Sequence, residues 1–244
     1  MPLQHHHGTE AFGQPPHRRF PVGLHDVCLR SEQARGFGGM RRQDQLRIQR
    51  GFGGQCLLMR QQIQRVRIQP QRRIGGRLKN QEDGLIRIIY GSGTKTHNID
   101  FLEAAPALAA VLKENPNVRF RIIGYLELPE YFDGVKNQIE RIPFCHYTEY
   151  LTYLSECDSS IAPLENFVFN YAKSNIKYLE ASIAKVASVC SPRAAFADVI
   201  TNGENGFLAD GEQQWYVAFD TLVKNSKLRE DMAQAAYRTV TDTY

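Results

Sequence analysis

The chain has 244 residues, 42% of them hydrophobic, which is enough for one large core or two modest ones. The sequence has no run of about 18 apolar residues, so we expect no transmembrane helix. Residues 1–20 also lack the apolar segment of a secretory signal. The five cysteines form no Cys-x-x-Cys pair and have no zinc-ligand spacing, so we expect a reduced, cytoplasmic protein.

Charge is distributed unevenly along the chain, although the formal net charge is only +4. Residues 1–80 contain fourteen arginines, Lys79 and four acidic residues, which amounts to +11, so residues 81–244 must carry −7. The basic character therefore belongs to the first third of the chain alone.

Residues 1–83 are rich in Gln, Arg and Gly, and we predict that they form a largely disordered arm before a folded domain at 84–244. Apolar residues are too sparse here to offset the entropy that ordering costs. Three interpretations of the arm remain open. The first is that the arm binds nucleic acid through its arginines, the second that it is a tail without a role, and the third that it is not in the native reading frame.

From residue 84 the sequence alternates strands and helices. In chain order it predicts a strand over 85–92, a helix over 98–116, a strand over 118–124, a short helix over 128–137, a strand over 139–144, a helix over 146–157 and a strand over 159–164. A long loop, a helix, a strand over 186–191, a helix-and-strand unit over 194–209 and two final helices follow. This alternation predicts an α/β fold with a doubly wound, mostly parallel, Rossmann-like sheet.

In such a sheet the ligand lies beyond the carboxyl ends of the strands. The first loop there, at 91–100, brings Gly93, Thr94, Lys95 and His97 to the start of a helix. Glycines let the backbone approach an anion closely, and free amides at a helix start attract phosphate. Because the loop is neither a Walker loop nor Gly-x-Gly-x-x-Gly, a glycine-rich turn without a ligand remains the alternative.

The loop at 163–174 and the helix that follows form the second candidate. The apolar face of this helix consists of Ile176, Leu179 and Ile183. A different face carries three charged residues, Lys173, Lys177 and Glu180. We predict Ser174 as the N-cap, with free amides directed toward Lys173, and Glu165 lies in the same loop. The alternative is an ordinary helix with solvated lysines and a Glu180–Lys177 pair.

Three motifs in order make residues 84–244 resemble the C-terminal, nucleotide-sugar-binding domain of the GT-B glycosyltransferases, family 4, also called glycosyl transferases group 1. The motifs lie at 90–101, 162–189 and 200–210. The resemblance covers about two thirds of the chain. It implies transfer of a sugar, with retention, from a nucleotide-sugar donor to an acceptor that is a saccharide or a lipid-linked molecule.

The resemblance also implies roles for individual residues. Glu180 corresponds to the family's acceptor of hydrogen bonds from the donor ribose, for which the two oxygens of a carboxylate are suited. Lys173, together with Lys95 or His97, corresponds to the cations that face the diphosphate. Such cations stabilise the charge that develops on a departing nucleoside diphosphate. No metal and no cofactor are implied, because the loops have no cluster of metal-ligand type.

The sequence departs from the family pattern at three places. Ala172 stands where the family has a first glutamate, and Glu165 is the candidate to replace it. Ser92 stands in place of a first-loop arginine, and the stretch at 191–195, Ser-Pro-Arg-Ala-Ala, replaces a glycine-rich one. The sugar specificity therefore stays open.

The family has a second, acceptor-binding domain that usually supplies a catalytic histidine. Residues 1–83 are too short and too polar to form that domain, which favours the reading-frame interpretation of the arm, and no catalytic residue can be assigned. The alternative function is a non-catalytic nucleotide- or nucleic-acid-binding protein with an arginine-rich arm. Under the glycosyltransferase hypothesis nucleic acid is not an expected partner.

Overall fold

The structure, a computed structural model, describes residues 83–93 and 97–243. The predictions made for residues 1–82 lie outside this part of the chain. So do two of the candidate site residues, Thr94 and Lys95.

Six parallel strands form one sheet in the order β3-β2-β1-β4-β5-β6. The strands are β1 (Ile86–Ser92), β2 (Val118–Gly124), β3 (Ile139–Ile142), β4 (Ser159–Ala162), β5 (Ala187–Cys190) and β6 (Phe207–Leu208). The order runs outward from β1 in both directions, which is the doubly wound arrangement that the alternation predicts. The predicted Rossmann-like fold class is confirmed.

Helices connect the strands. The α-helices are α1 (His97–Phe101), α2 (Ala105–Glu114), α3 (Tyr147–Ser155), α4 (Ile176–Ile183), α5 (Ala194–Ala197), α6 (Glu212–Lys224) and α7 (Ser226–Thr243). Two 3-10 helices span Glu130–Gln138 and Val168–Ala172. No helix within 83–93 and 97–243 has the length and apolar character needed to cross a membrane.

Several predicted elements differ from the structure in extent or type. The helix predicted over 98–116 is divided into α1 and α2, because Pro106 lacks an amide hydrogen and is accommodated only in the first turn of a helix. The short helix predicted over 128–137 is a 3-10 helix. The third strand ends at Ile142 because Pro143 cannot donate to the strand ladder.

The main core lies between one face of the sheet and the helices α1, α2 and α6. Alternate residues of β1 and β2, such as Ile88, Tyr90 and Phe120, point into it and are at most 1% exposed. The ring of Phe101 in α1 stacks on Phe120 with centroids 5.5 Å apart. This packing fixes α1 against the carboxyl ends of β1 and β2.

β1 lies between β2 and β4, which belong to the two halves of the doubly wound sheet. The loop after β1 leads toward β2, whereas the loop after β4 leads toward β5, so the two loops diverge from the carboxyl edge. A crevice opens at such a topological switch point. The loops predicted to carry the site therefore flank it.

Candidate functional site

The ends of β1 and β2 are joined closely at the carboxyl edge. The buried hydroxyl of Ser92 donates a hydrogen bond to the carbonyl oxygen of Tyr125. Gly124 has a φ of 92°, and a Cβ atom at this position would overlap the carbonyl oxygen of Ser92. Only glycine fits here, so the carboxyl edge beside β1 has a fixed backbone shape.

His97 is tied to the loop that it terminates. Its Nδ1 accepts a hydrogen bond of 2.8 Å from the amide of Gly93, and its carbonyl oxygen accepts one of 3.3 Å from the Tyr90 hydroxyl. A ring nitrogen that accepts a hydrogen bond carries no proton, so the ring hydrogen belongs to Nε2. Two of the predicted residues, Gly93 and His97, therefore lie together, whereas Thr94 and Lys95 lie outside the described residues.

Asp100 in α1 organises the loop after β4. The residue is 2% exposed, and its carboxylate accepts three hydrogen bonds from that loop. The donors are the amide of Glu165 at 3.1 Å, the side-chain amide of Asn170 at 2.8 Å and the ammonium of Lys173 at 2.7 Å. Asn170 also donates to the carbonyl oxygen of Glu165, which closes the loop on itself. Sequence reasoning missed this residue.

Lys173, predicted to face a diphosphate, forms an ion pair with Asp100. Its side chain is 21% exposed, while that of Asp100 is 3% exposed, so a partly exposed lysine is paired with a buried carboxylate. An ammonium held by a buried carboxylate has a defined position, unlike a lysine on a solvated helix face. The solvated-helix alternative is wrong for this residue.

Glu180 in α4 is also buried, with 7% of the residue exposed. Burial raises the pKa of its carboxyl group from 4.5 to about 6, because the charged form loses solvation. The charge of Lys177 and the nearby Tyr147 and Tyr150 hydroxyls act in the opposite direction and lower the pKa. Glu180 is therefore a buried carboxylate rather than an exposed member of a surface pair.

The absence of a side chain at Gly91 leaves room for the ring of Tyr150, which lies near Glu180. A Cβ atom at Gly91 would lie 2.9 Å from Cε2 of Tyr150, so a side chain there would displace the ring. The carbonyl oxygen of Gly91 accepts a hydrogen bond of 2.5 Å from Lys177. The end of β1 thus contacts both α3 and α4.

Tyr90 joins the two halves of the site. Its ring stacks with Phe101 of α1 at a centroid distance of 5.6 Å, and the ammonium of Lys177 lies 5.3 Å from the ring centroid. Burial, followed by the charge of Asp100, raises the pKa of its hydroxyl well above the usual value. We call six polar residues of the site the switch-point cluster: His97, Asp100, Asn170, Lys173, Lys177 and Glu180.

Two remaining predicted residues, Glu165 and Ser174, belong to the same loop. Glu165 is held through its backbone amide, and the residue is partly exposed. The N-cap predicted at Ser174 is wrong by one position, because α4 begins at Ile176 and Asn175 is the flanking residue. Lys173 still has extended backbone angles, and the carbonyl oxygen of Asn175 accepts the first helical hydrogen bonds.

Arg193, which follows β5, is a second charged residue that sequence reasoning missed. It is 4% exposed and donates to Asp210 at 2.6 Å, which joins the segments after β5 and β6. Its positive charge lowers the pKa of the nearby Glu103 carboxyl, although burial raises that pKa more. Among the described residues no group of His, Cys, Asp and Glu is arranged to hold a metal ion.

Comparisons with known proteins place this geometry in a family. The family described as Glycosyl transferases group 1 matches residues 87–225, more than half of the chain. No curated protein matches the sequence.

Solved structures with the same fold are consistent with that match. The C-terminal domain of a glycosyl transferase group 1 protein from Francisella tularensis is 25% identical, with 67% of this chain and 90% of that domain covered and a TM-score of 0.53. WaaG, a glycosyltransferase of lipopolysaccharide biosynthesis, is 17% identical, with 67% and 45% covered and a TM-score of 0.53. HepE from Anabaena, in complex with UDP and glucose, is 15% identical, with 66% and 46% covered and a TM-score of 0.53.

The fraction of each solved structure that the match covers differs among these three proteins. The match spans nearly all of the isolated C-terminal domain but less than half of WaaG or HepE. The region of similarity is therefore only part of those longer proteins.

Proposed function

The chain belongs to the glycosyl transferases group 1 family, and from that premise we propose that it binds the nucleoside diphosphate of a nucleotide-sugar donor, whose sugar is transferred to an acceptor. The observation that carries the proposal is the switch-point cluster, in which two carboxylates are buried, one of them pairs with Lys173, and Lys177 is held at the end of β1. Preorganised cations at such a site stabilise the charge that develops on a departing diphosphate.

In this proposal Glu180 accepts hydrogen bonds from the ribose hydroxyls. A carboxylate that is buried beside two tyrosine hydroxyls and a lysine loses little freedom when a diol binds. The neighbouring Lys177 is held by the carbonyl oxygen of Gly91, so it contributes positive charge without leaving its place.

Lys173 and the loop after β1 bind the diphosphate. Lys173 lies at the surface of the crevice, and His97 directs its Nδ1 toward the Gly93 amide, which leaves Nε2–H as the donor of the ring. Thr94, Lys95 and Ser174 are the further diphosphate-side candidates, and they contribute hydroxyl groups, backbone amides and one more cation.

Glu165 is the candidate for contact with the donor sugar. Its backbone is fixed by Asp100, and the residue is partly exposed in the loop after β4. A carboxylate in that position can accept hydrogen bonds from sugar hydroxyls. Because Ala172 replaces the first glutamate of the family pattern, this is the residue on which we expect sugar specificity to depend.

Isothermal titration calorimetry of the full chain tests the proposal. UDP is the first probe, because the HepE structure contains UDP, and GDP and ADP are compared with it. We expect Glu180→Gln to weaken binding of the preferred nucleotide by about 1–3 kcal/mol, the usual cost of losing a charged hydrogen-bond acceptor.

The matched control is Glu114→Gln. Glu114 also accepts a hydrogen bond from a tyrosine, Tyr216, at 2.6 Å, but it ends α2 next to the amino edge of the sheet. This variant should bind the nucleotide like the wild type. If no nucleoside diphosphate binds, or if the two variants bind equally well, the proposal is wrong.

The alternative function, nucleic-acid binding by an arginine-rich arm, concerns residues 1–80, which lie outside the described part of the chain. It makes a different prediction for the same sample. Binding of single-stranded RNA would fall steeply as salt is raised and would not respond to Glu180→Gln.

A further inference from the structure

We propose that Asp100 is a positioning residue of the donor site: it orders the loop at 163–175 and holds the ammonium of Lys173 at the crevice. This inference rests on the proposed function, since it assigns Asp100 a part in binding the nucleoside diphosphate. It adds a residue that touches no ligand itself and acts through Lys173.

The first argument is the number and type of bonds that Asp100 accepts. One oxygen, Oδ1, accepts from the Glu165 amide at 3.1 Å and from the Asn170 side chain at 2.8 Å. The other, Oδ2, accepts from Lys173 at 2.7 Å. Both oxygens of a carboxylate that is 2% exposed are thus committed to one loop.

The second argument is the position of these partners along the chain. Glu165, Asn170 and Lys173 span the loop from near its start to near its end, and this loop has little other regular structure than the 3-10 helix Val168–Ala172. Loops without long ladders of backbone hydrogen bonds depend on side-chain contacts for a single conformation. Asp100 supplies such contacts at three points.

The third argument is that Asp100 itself is fixed. It lies in α1 next to Phe101, whose ring is fully buried and stacks between Tyr90 and Phe120. The loop after β4 is therefore anchored to the segment after β1, so that both sides of the crevice share one support. A shift of α1 would move Lys173 and His97 together.

A negative charge beside a diphosphate site has two opposite effects, and their balance is testable. It repels the diphosphate, and it also holds the cation in the place where the diphosphate binds. A purely electrostatic account predicts that Asp100→Asn strengthens diphosphate binding. The positioning role predicts the opposite sign.

The experiment is a double-mutant cycle with UDP, GDP and ADP titrated into the full chain. The variants are Asp100→Asn, Lys173→Met and the double variant, with Asp158→Asn as control. Asp158 is a buried aspartate of similar exposure, 5%, that precedes β4 and so lies at the opposite edge of the sheet. Hydrogen exchange of the amides of 164–173 is measured on the same samples.

We expect Asp100→Asn to weaken binding about tenfold in the wild-type background and less than about twofold when Lys173 is already Met. Amides of 164–173 should exchange faster in Asp100→Asn. Asp158→Asn should lower the unfolding midpoint and leave nucleotide affinity within about twofold, because its partners are remote from the crevice.

Three results would overturn the inference. Equal losses in both backgrounds would mean that Asp100 affects binding independently of Lys173. Tighter binding would mean that it competes with the diphosphate for Lys173, and unchanged binding would mean that it has no role in the site. Absence of any nucleotide binding by the wild type would remove the proposed function together with this inference. Binding by the wild type that the variants leave unchanged removes only the inference.

Discussion

Asp100 and Asp158 are two buried aspartates at opposite ends of β4, and they stabilise different kinds of structure. Asp158 accepts a hydrogen bond of 3.0 Å from the amide of Arg87, at the start of β1, and lies 3.7 Å from the guanidinium of Arg229 in α7. Asp100 accepts three hydrogen bonds from a loop. The same chemistry thus joins regular elements at one edge and orders a loop at the other.

The comparison indicates where the chain can change without losing its fold. The carboxyl edge consists of loops attached to the packed core, whereas the amino edge is part of the core itself. Substitutions at the amino edge should therefore alter stability, whereas substitutions at the carboxyl edge should alter ligand affinity.

The largest effect is expected from Asp158→Ala, which tests the amino edge. Removal of the carboxylate leaves Arg229, whose side chain is 5% exposed, without this ion pair and deprives the Arg87 amide of its acceptor. We expect the free energy of unfolding to fall by about 3–5 kcal/mol, the typical cost of breaking a buried pair from one side. Urea denaturation at pH 7 measures it, and a loss below about 1 kcal/mol would contradict the comparison.

One substitution at the carboxyl edge, at Gly124, is expected to lower stability, contrary to the simple division between the two edges. Gly124→Ala introduces a Cβ that overlaps the Ser92 carbonyl oxygen at a positive φ, so the free energy of unfolding should fall by about 2–3 kcal/mol. Gly203→Ala is the matched control, since Gly203 also has a positive φ, 84°, but nothing lies within 4 Å of the added atom. The control should lose only about 1 kcal/mol, and equal losses would exclude the overlap as the cause.

The smallest effect, and the one that sharpens the comparison, is a pH dependence caused by Glu180. Its pKa is raised in the folded protein from 4.5 to about 6, so the folded state binds the proton more tightly than the unfolded state. The contribution to stability is therefore full below about pH 4.5 and is lost as the pH rises through 6. The loss amounts to about 2 kcal/mol for a shift of this size.

The measurement for Glu180 compares urea denaturation of the wild type and Glu180→Gln at pH 5 and pH 7. The stability of the variant relative to the wild type should rise between these values, because glutamine has no charge to bury. A difference that stays constant with pH would show that Glu180 does not titrate in this range.

The sheet was predictable from the sequence because its signals are local. The runs at 85–92 and 118–124 are β-branched and end at turn residues, and both strands form within one residue of the predicted bounds. The helix over 98–116 was predicted as continuous because its apolar pattern spans Pro106, which in fact starts a new helix. Periodicity alone did not reveal that interruption.

The site was less predictable because its contacts are not local. The sequence places Lys173, Lys177 and Glu180 on one segment, but their partners Asp100, Gly91 and Tyr150 come from three other segments. Asp100 in the sequence reads only as a charged residue in the first turn of a helix. Its burial, and hence its importance for the loop, depends on the packing of α1 against the sheet.

The separation of Asp100 from its partners has a consequence for how the protein folds. Asp100 and Asn170 are 70 residues apart in sequence, so their contact closes a long loop and requires β2, β3 and β4 to be in place first. The crevice is therefore expected among the last parts of the domain to form. A ligand that requires this crevice binds only the completed fold and raises the unfolding temperature with its concentration, which makes thermal shift a direct assay of donor binding.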